Sequence, residues 1–89
     1  MLKVQRTTQF KRDFKKIKKQ HKDIETLREI MQKLQNQEPL DPKHNDHPLT
    51  GEFKDLRDCH IEPDWILLYR VMADTIYFER TGSHSDLFK

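Results

Sequence analysis

The chain holds five histidines in 89 residues, and two of them stand beside carboxylates in patterns suited to proton transfer. His60 lies in the run Arg57-Asp58-Cys59-His60-Ile61-Glu62-Pro63-Asp64-Trp65, which brings Asp58, Asp64 and an imidazole within seven residues. His84 follows the small turn Gly82-Ser83, shortly after Arg80. General acid–base catalysis needs groups that exchange protons near neutrality, and histidine is the natural choice. If the strands that carry them are neighbours, His60, Asp64, Arg80 and His84 meet at one edge of a sheet. Such a set can cleave RNA through its 2′-hydroxyl. One group removes the 2′-OH proton, a cation stabilises the phosphorane charge, and an acid protonates the leaving 5′-oxygen, with no metal required. The same residues also read as ordinary surface or half-buried histidines, with Asp58 pairing only Arg57 or Arg80. Composition and spacing leave both readings open.

Other chemistries have less support. There is no HxxxH or HxH pair, and Cys59 has no second thiol with which to build a zinc set. His44, Asp46 and His47 share a proline-rich loop and would ligate a metal only by chance, so neither a metal nor another cofactor is expected. Cys59 falls on the apolar parity of a strand, which favours a buried inert thiol over a nucleophile. Neither a GxSxG elbow nor a phosphate-binding P-loop is present.

The elements that position these residues are predicted as follows. Leu2–Arg6 alternates as a short first strand. Thr7 or Thr8 caps a helix from about Thr8 to Gln20, with Phe10, Phe14 and Ile17 on its apolar stripe. Asp23 caps a second helix running to about Gln37, with Ile24, Leu27, Ile30, Met31 and Leu34 inward. A short connection makes the two a helical hairpin. Pro39, Pro42 and Pro48 make residues 38–52 a loop, with Gly51 at its exit. Phe53–Ile61 reads as a strand in which Phe53, Cys59 and Ile61 share one parity, and Lys54, Leu56, Asp58 and His60 the other. Trp65–Met72 is apolar on both parities except at Arg70, as in a central strand covered on both faces. Ala73-Asp74 links it to Thr75–Thr81, and Ser83 or Ser85 starts a final helical turn that docks Leu87 and Phe88. The predicted fold is α+β, β-α-α-β-β-β with a short C-terminal turn. The helical hairpin packs on one face of an antiparallel sheet, in a single domain spanning residues 1–89.

Charge is unevenly placed. Residues 1–22 carry nine Lys/Arg against Asp13 alone, a balance of +8, and the rest of the chain is −6, for a total of +2. Lys11, Arg12, Lys15, Lys16, Lys18, Lys19 and Lys22 thus form a basic first helix that suits a polyanion or an acidic partner, or stands as a solvated face. No run approaches the roughly 18 apolar residues of a membrane span, and the N-terminus lacks a signal-peptide core, so a cytoplasmic protein is expected.

Three segments carry a wider resemblance: Asp46-His47-Pro48-Leu49-Thr50-Gly51, Arg57 through Tyr69, and Glu79-Arg80-Thr81-Gly82-Ser83-His84-Ser85-Asp86-Leu87-Phe88. In order and spacing they are similar to the YafQ branch of the RelE/ParE toxin superfamily. The resemblance covers essentially the whole chain. It implies a small RelE-like fold and a bacterial type II toxin. The implied activity is endoribonuclease, an mRNA interferase cutting mRNA in the ribosomal A site without a metal. It also implies a cognate antitoxin that neutralises the toxin, with operator DNA bound only through the toxin–antitoxin complex. By the same resemblance the catalytic residues are His47, His60, Asp64 and His84, supported by Asp58, Trp65, Arg80 and Phe88. His84 is then the general acid, and His60, or Asp64 working with it, the base. His47 orients the phosphate or shares the proton transfer, Arg80 stabilises charge and Phe88 stacks on a base. The basic helix is assigned to ribosomal RNA. The alternative is a toxin of the same fold that inhibits a protein such as gyrase without nuclease activity.

Overall fold

Thr7 starts the first helix by doing two jobs. Its hydroxyl accepts the Phe10 N–H at 2.9 Å as an N-cap and donates to the Glu79 carbonyl at 2.8 Å, tying the helix to a distant strand. The computed structural model describes residues 1–88. Its elements are β1 (Lys3–Arg6), α1 (Thr8–Lys19), α2 (Ile24–Gln35), β2 (His47–Pro48), β3 (Arg57–Glu62), β4 (Trp65–Met72), β5 (Thr75–Gly82) and α3 (His84–Leu87). Asp23 caps α2 through the Thr26 N–H, and Ser83 caps α3 through the Asp86 N–H. The helices end at Lys19 and Gln35, slightly short of the predicted bounds.

The strands form one sheet in the order β1-β5-β4-β3-β2, with β4 in the centre as its two-sided apolar pattern requires. The α+β class and the helix–sheet arrangement hold, but the expectation of an antiparallel sheet needs correction. β1 pairs in parallel with β5, Lys3 opposite Thr75 through Arg6 opposite Phe78. The helices carry the chain from one sheet edge to the other, so β1 and β5 meet as neighbours with no hairpin to set them antiparallel. A second difference lies in the loop, where β2 adds a two-residue edge strand against β3, with His47 opposite Asp58. A third is Phe53, which lies in a 3₁₀ turn over Gly51–Phe53, so the strand begins only at Arg57.

Alternation along the strands separates two layers. Cys59, Ile61, Trp65, Leu67, Tyr69, Ile76 and Phe78 bury against Phe10, Ile17, Leu27, Ile30 and Leu34 of the helices. Ile66 and Leu68 face the other way and pack with Leu87 of α3, flanked by Leu49, Leu56 and Phe88.

Candidate active site

Because successive side chains of a strand point to opposite faces, Cys59 and Ile61 in the helix-side core put Asp58 and His60 on the opposite face. That face also receives α3 and the loop bearing β2. Three histidines converge there. The rings of His60 and His84 lie 5.5 Å apart, edge to face, and those of His47 and His60 lie 6.5 Å apart. Phe88 is 6.2 Å from His84 and stands edge-on to Phe53 at 5.6 Å, so five rings run in series across the site.

Carboxylates sort these histidines into two groups. His84 is held by Asp64, which accepts its Nδ1–H at 2.8 Å and its backbone N–H at 3.1 Å. The hydrogen bond from the His84 side chain, then that from its backbone, holds the exposed Asp64 carboxyl below its ordinary value. With Nδ1 committed to Asp64, Nε2 is the nitrogen His84 offers to a substrate. Asp58 is buried and serves the other two rings. Its Oδ1 lies 3.5 Å from His60 Nε2, and its Oδ2 lies 4.0 Å from His47 Nε2. Oδ1 accepts no hydrogen bond, which leaves a buried carboxylate oxygen facing an imidazole. His47 is oriented separately, its Nδ1–H donating to the Asn45 carbonyl at 2.6 Å.

Two of the predicted pairings change. Asp64 partners His84 rather than His60, because the Pro63-Asp64 turn between Glu62 and Trp65 points it toward α3. Asp58 pairs with neither arginine and faces the two histidines. Arg80 does not join the histidines: its guanidinium grips Asp13 of α1 at 2.8 and 3.2 Å, and that pairing raises its pKa further. A bulge adjoins it: Leu68 pairs with Arg80 while Tyr69 pairs with Phe78, so Glu79 is an extra residue and Arg80 stands in register with Leu68 rather than on the parity of Ile76 and Phe78, yet its guanidinium turns to Asp13. Trp65 is buried, its indole N–H donating to Thr81 Oγ1 at 2.9 Å, so it supports the sheet from beneath. Lys11, Arg12, Lys15, Lys16, Lys18 and Lys19 are exposed along α1 and Lys22 is half-buried, and Lys16 pairs with Asp86 of α3 at 3.1 Å. Among the described residues no group of three His, Cys, Asp or Glu side chains is disposed to hold a metal.

The chain matches, over residues 2–89, the family described as the bacterial toxin of type II toxin–antitoxin systems, YafQ. The chain belongs to the YafQ toxin family. The mRNA interferase toxin YafQ of Escherichia coli K12 is 43% identical over 86 residues, covering 96% of this chain and 94% of that one. A chain of the E. coli DinJ–YafQ toxin–antitoxin complex superposes with a TM-score of 0.90 at 41% identity, covering 100% of both. A copper-bound mutant toxin from Helicobacter pylori superposes with a TM-score of 0.95 at 43% identity, covering 99% of this chain and 100% of that one.

In this member of the YafQ family, sequence reasoning passed over four contributors. Phe53, on a 3₁₀ turn rather than a strand, packs on Phe88 and so belongs to the site. Asp13 is a buried acid inside a run of lysines, and that isolation was its only signal. Asp46 accepts the Tyr69 hydroxyl at 2.6 Å and Arg57 Nε at 3.2 Å, which pins the loop ahead of His47. His44 donates from Nδ1 to the backbone carbonyl of His60 at 2.7 Å.

Proposed function

We propose that this chain is the toxin of a type II toxin–antitoxin pair and an mRNA interferase that cleaves RNA by general acid–base attack of the 2′-hydroxyl. The observation that carries the reading is the cluster of His47, His60 and His84 on the sheet face opposite the helix pair, with His47 held by the Asn45 carbonyl, His84 by Asp64, and His60 facing the buried Asp58 carboxylate. His84 is the general acid. Asp64 fixes its ring and balances the imidazolium, so Nε2–H delivers a proton to the leaving 5′-oxygen. His60 is the base, and Asp58 steadies it as the proton leaves the 2′-oxygen. His47, sharing Asp58, binds the phosphate or takes part in the proton transfer. Phe88, braced by Phe53, stacks on a base, a contact worth about 1–3 kcal/mol in single-strand recognition. Arg80, neutralised by Asp13, makes no direct phosphate contact here and supports the site by tying β5 to α1.

Cleavage is directed to mRNA on the ribosome, with α1 bound to ribosomal RNA in the cytoplasm. A cognate antitoxin neutralises the toxin, as DinJ pairs with YafQ in the E. coli complex. Operator DNA is bound only through that complex. No described helix is long and apolar enough to cross a membrane.

The test is induced expression of wild type and His84→Ala with mapping of mRNA 5′ ends. Wild type is expected to produce new in-frame ends, and the variant to lose about 10²–10⁴-fold of the cleavage, the usual contribution of a general acid. Cleavage in vitro is expected to persist in EDTA. Growth arrest by both proteins without new ends, or EDTA inactivation reversed by one metal, would overturn the scheme.

A further inference from the structure

β2 is too short to support all of β3. It pairs only His47 with Asp58 and Pro48 with Arg57, and stops two rows short of His60. At that row the chain leaves the sheet through Asn45, whose φ of 45° and ψ of 49° close the 3₁₀ turn Pro42–His44. The β3–β4 register is also irregular just beyond, between His60 and Glu62. A strand end with a missing neighbour and a disturbed register holds its side chain loosely unless another donor takes the open carbonyl. The imidazole of His44 supplies that donor, with Nδ1 2.7 Å from the His60 oxygen. Since the partner is a carbonyl, Nδ1 must carry the proton. The adjacent carbonyl, that of Asn45, orients the His47 ring through its Nδ1–H. One four-residue segment therefore sets both His60, through its backbone, and His47, through its side chain.

We propose that His44 is a positioning residue of the active site, whose Nδ1–H replaces the missing strand partner of His60 and fixes the His47 loop against the His60 strand. The inference rests on the reading of His47 and His60 as catalytic groups. It adds a residue that touches neither substrate nor reacting atoms and acts only through the geometry of those that do. Displacement of a reacting group by about 1 Å can cost 10²-fold in rate, and one lost tie at a strand end is a displacement of that kind.

The test is single-turnover and steady-state cleavage of programmed mRNA on ribosomes by wild type, His44→Phe, His44→Asn and His60→Ala. His44→Phe keeps a ring in place and removes the donor, whereas His44→Asn restores an N–H at the position of Nδ1. The expected result is a fall in kcat of about 10- to 10²-fold for His44→Phe with KM little changed. His44→Asn should recover most of the loss. Full activity of His44→Phe, or a defect confined to KM, or no recovery with His44→Asn, would overturn the inference. These outcomes presuppose that His60→Ala is strongly impaired; a fully active His60→Ala would instead remove the catalytic reading on which the inference rests.

Discussion

Asp13 joins the basic helix to the strand that leads into the site, and its removal should be felt first as lost stability. β1 stops pairing at Phe78, so beyond that point β5 has an open edge. The N-cap and a side chain of α1 close it: Thr7 donates to the Glu79 carbonyl, and Asp13 accepts the Thr81 N–H at 3.2 Å. Asp13 also takes both arms of Arg80 and is itself buried. Asp13→Ala leaves the Thr81 N–H without a partner on a residue only 2% exposed. Leaving such a donor unsatisfied costs about 1–3 kcal/mol. The Arg80 side chain is about one-third exposed, so water replaces part of what it loses, and that share is set at about 1 kcal/mol. The sum, about 2–4 kcal/mol, corresponds to a Tm lowered by about 10–25 °C in a domain of this size. Asp13→Asn keeps an acceptor for Thr81 and loses only the charge, for about 1 kcal/mol. The assay is thermal and urea unfolding followed by circular dichroism. A loss below about 1 kcal/mol for Asp13→Ala, or equal losses for Ala and Asn, would refute the assignment of the edge-closing role to Asp13.

The remaining predictions concern charge and protons. Burial pushes the Cys59 thiol from its ordinary 9.0 up to about 12, so the folded chain keeps a proton that the unfolded chain releases. Stability should therefore be full below pH 9 and fall toward pH 12 by about 1.4 kcal/mol per pH unit. Urea titrations across that window should show the slope reduced in Cys59→Ala, and equal slopes would refute it. Asp64 works only through His84, so Asp64→Ala/His84→Ala should cleave no more slowly than His84→Ala alone, and additive losses would separate them. The Asp64 carboxyl is held below 3.8, so any stability from the pair is present above that value and is lost as pH falls below it. Neutralising Lys11, Lys15 and Lys18 together should flatten the dependence of RNA affinity on log salt by about 0.7 per cation removed. An unchanged slope would exclude the α1 face from phosphate contact.

How much was legible depended on whether the deciding contact was local. The helix caps at Thr7 and Asp23, the stripes of α1 and α2, and the two-sided burial of β4 follow from neighbours within a turn or from simple alternation, and they were readable. The opposite parities of Cys59 and His60 likewise announced which residues would face away from the core. The parallel pairing of β1 with β5 was not readable, because residues more than 70 apart choose it through packing on the helices. Neither was β2, since two residues that include Pro48 carry no period. The bulge at Glu79 was hidden for the same reason: one unpaired residue reverses the parity of Arg80, and only the β4–β5 register reveals it. The partner of Asp64 could not be read either, because a two-residue turn sends its carboxylate toward α3 rather than back along β3.

These limits share a physical origin in β3. One strand carries Cys59 and Ile61 into the core while Asp58 and His60 stand on the other face, so stability and chemistry are written on alternate residues of the same backbone. A slip of one residue would exchange the two sets, burying His60 and exposing Cys59 to the site. The apolar set opposes that slip strongly, but it fixes register only where both sides of the strand are paired. On the side away from β4 the support is β2 at two rows and then the His44 imidazole. Local ties beyond His47, Asp46 to Tyr69 and His44 to His60, must therefore hold what the short strand cannot. The precision of the histidine cluster consequently depends on the proline-rich loop as much as on the core, and substitutions in residues 41–48 should alter cleavage well before they alter the melting temperature.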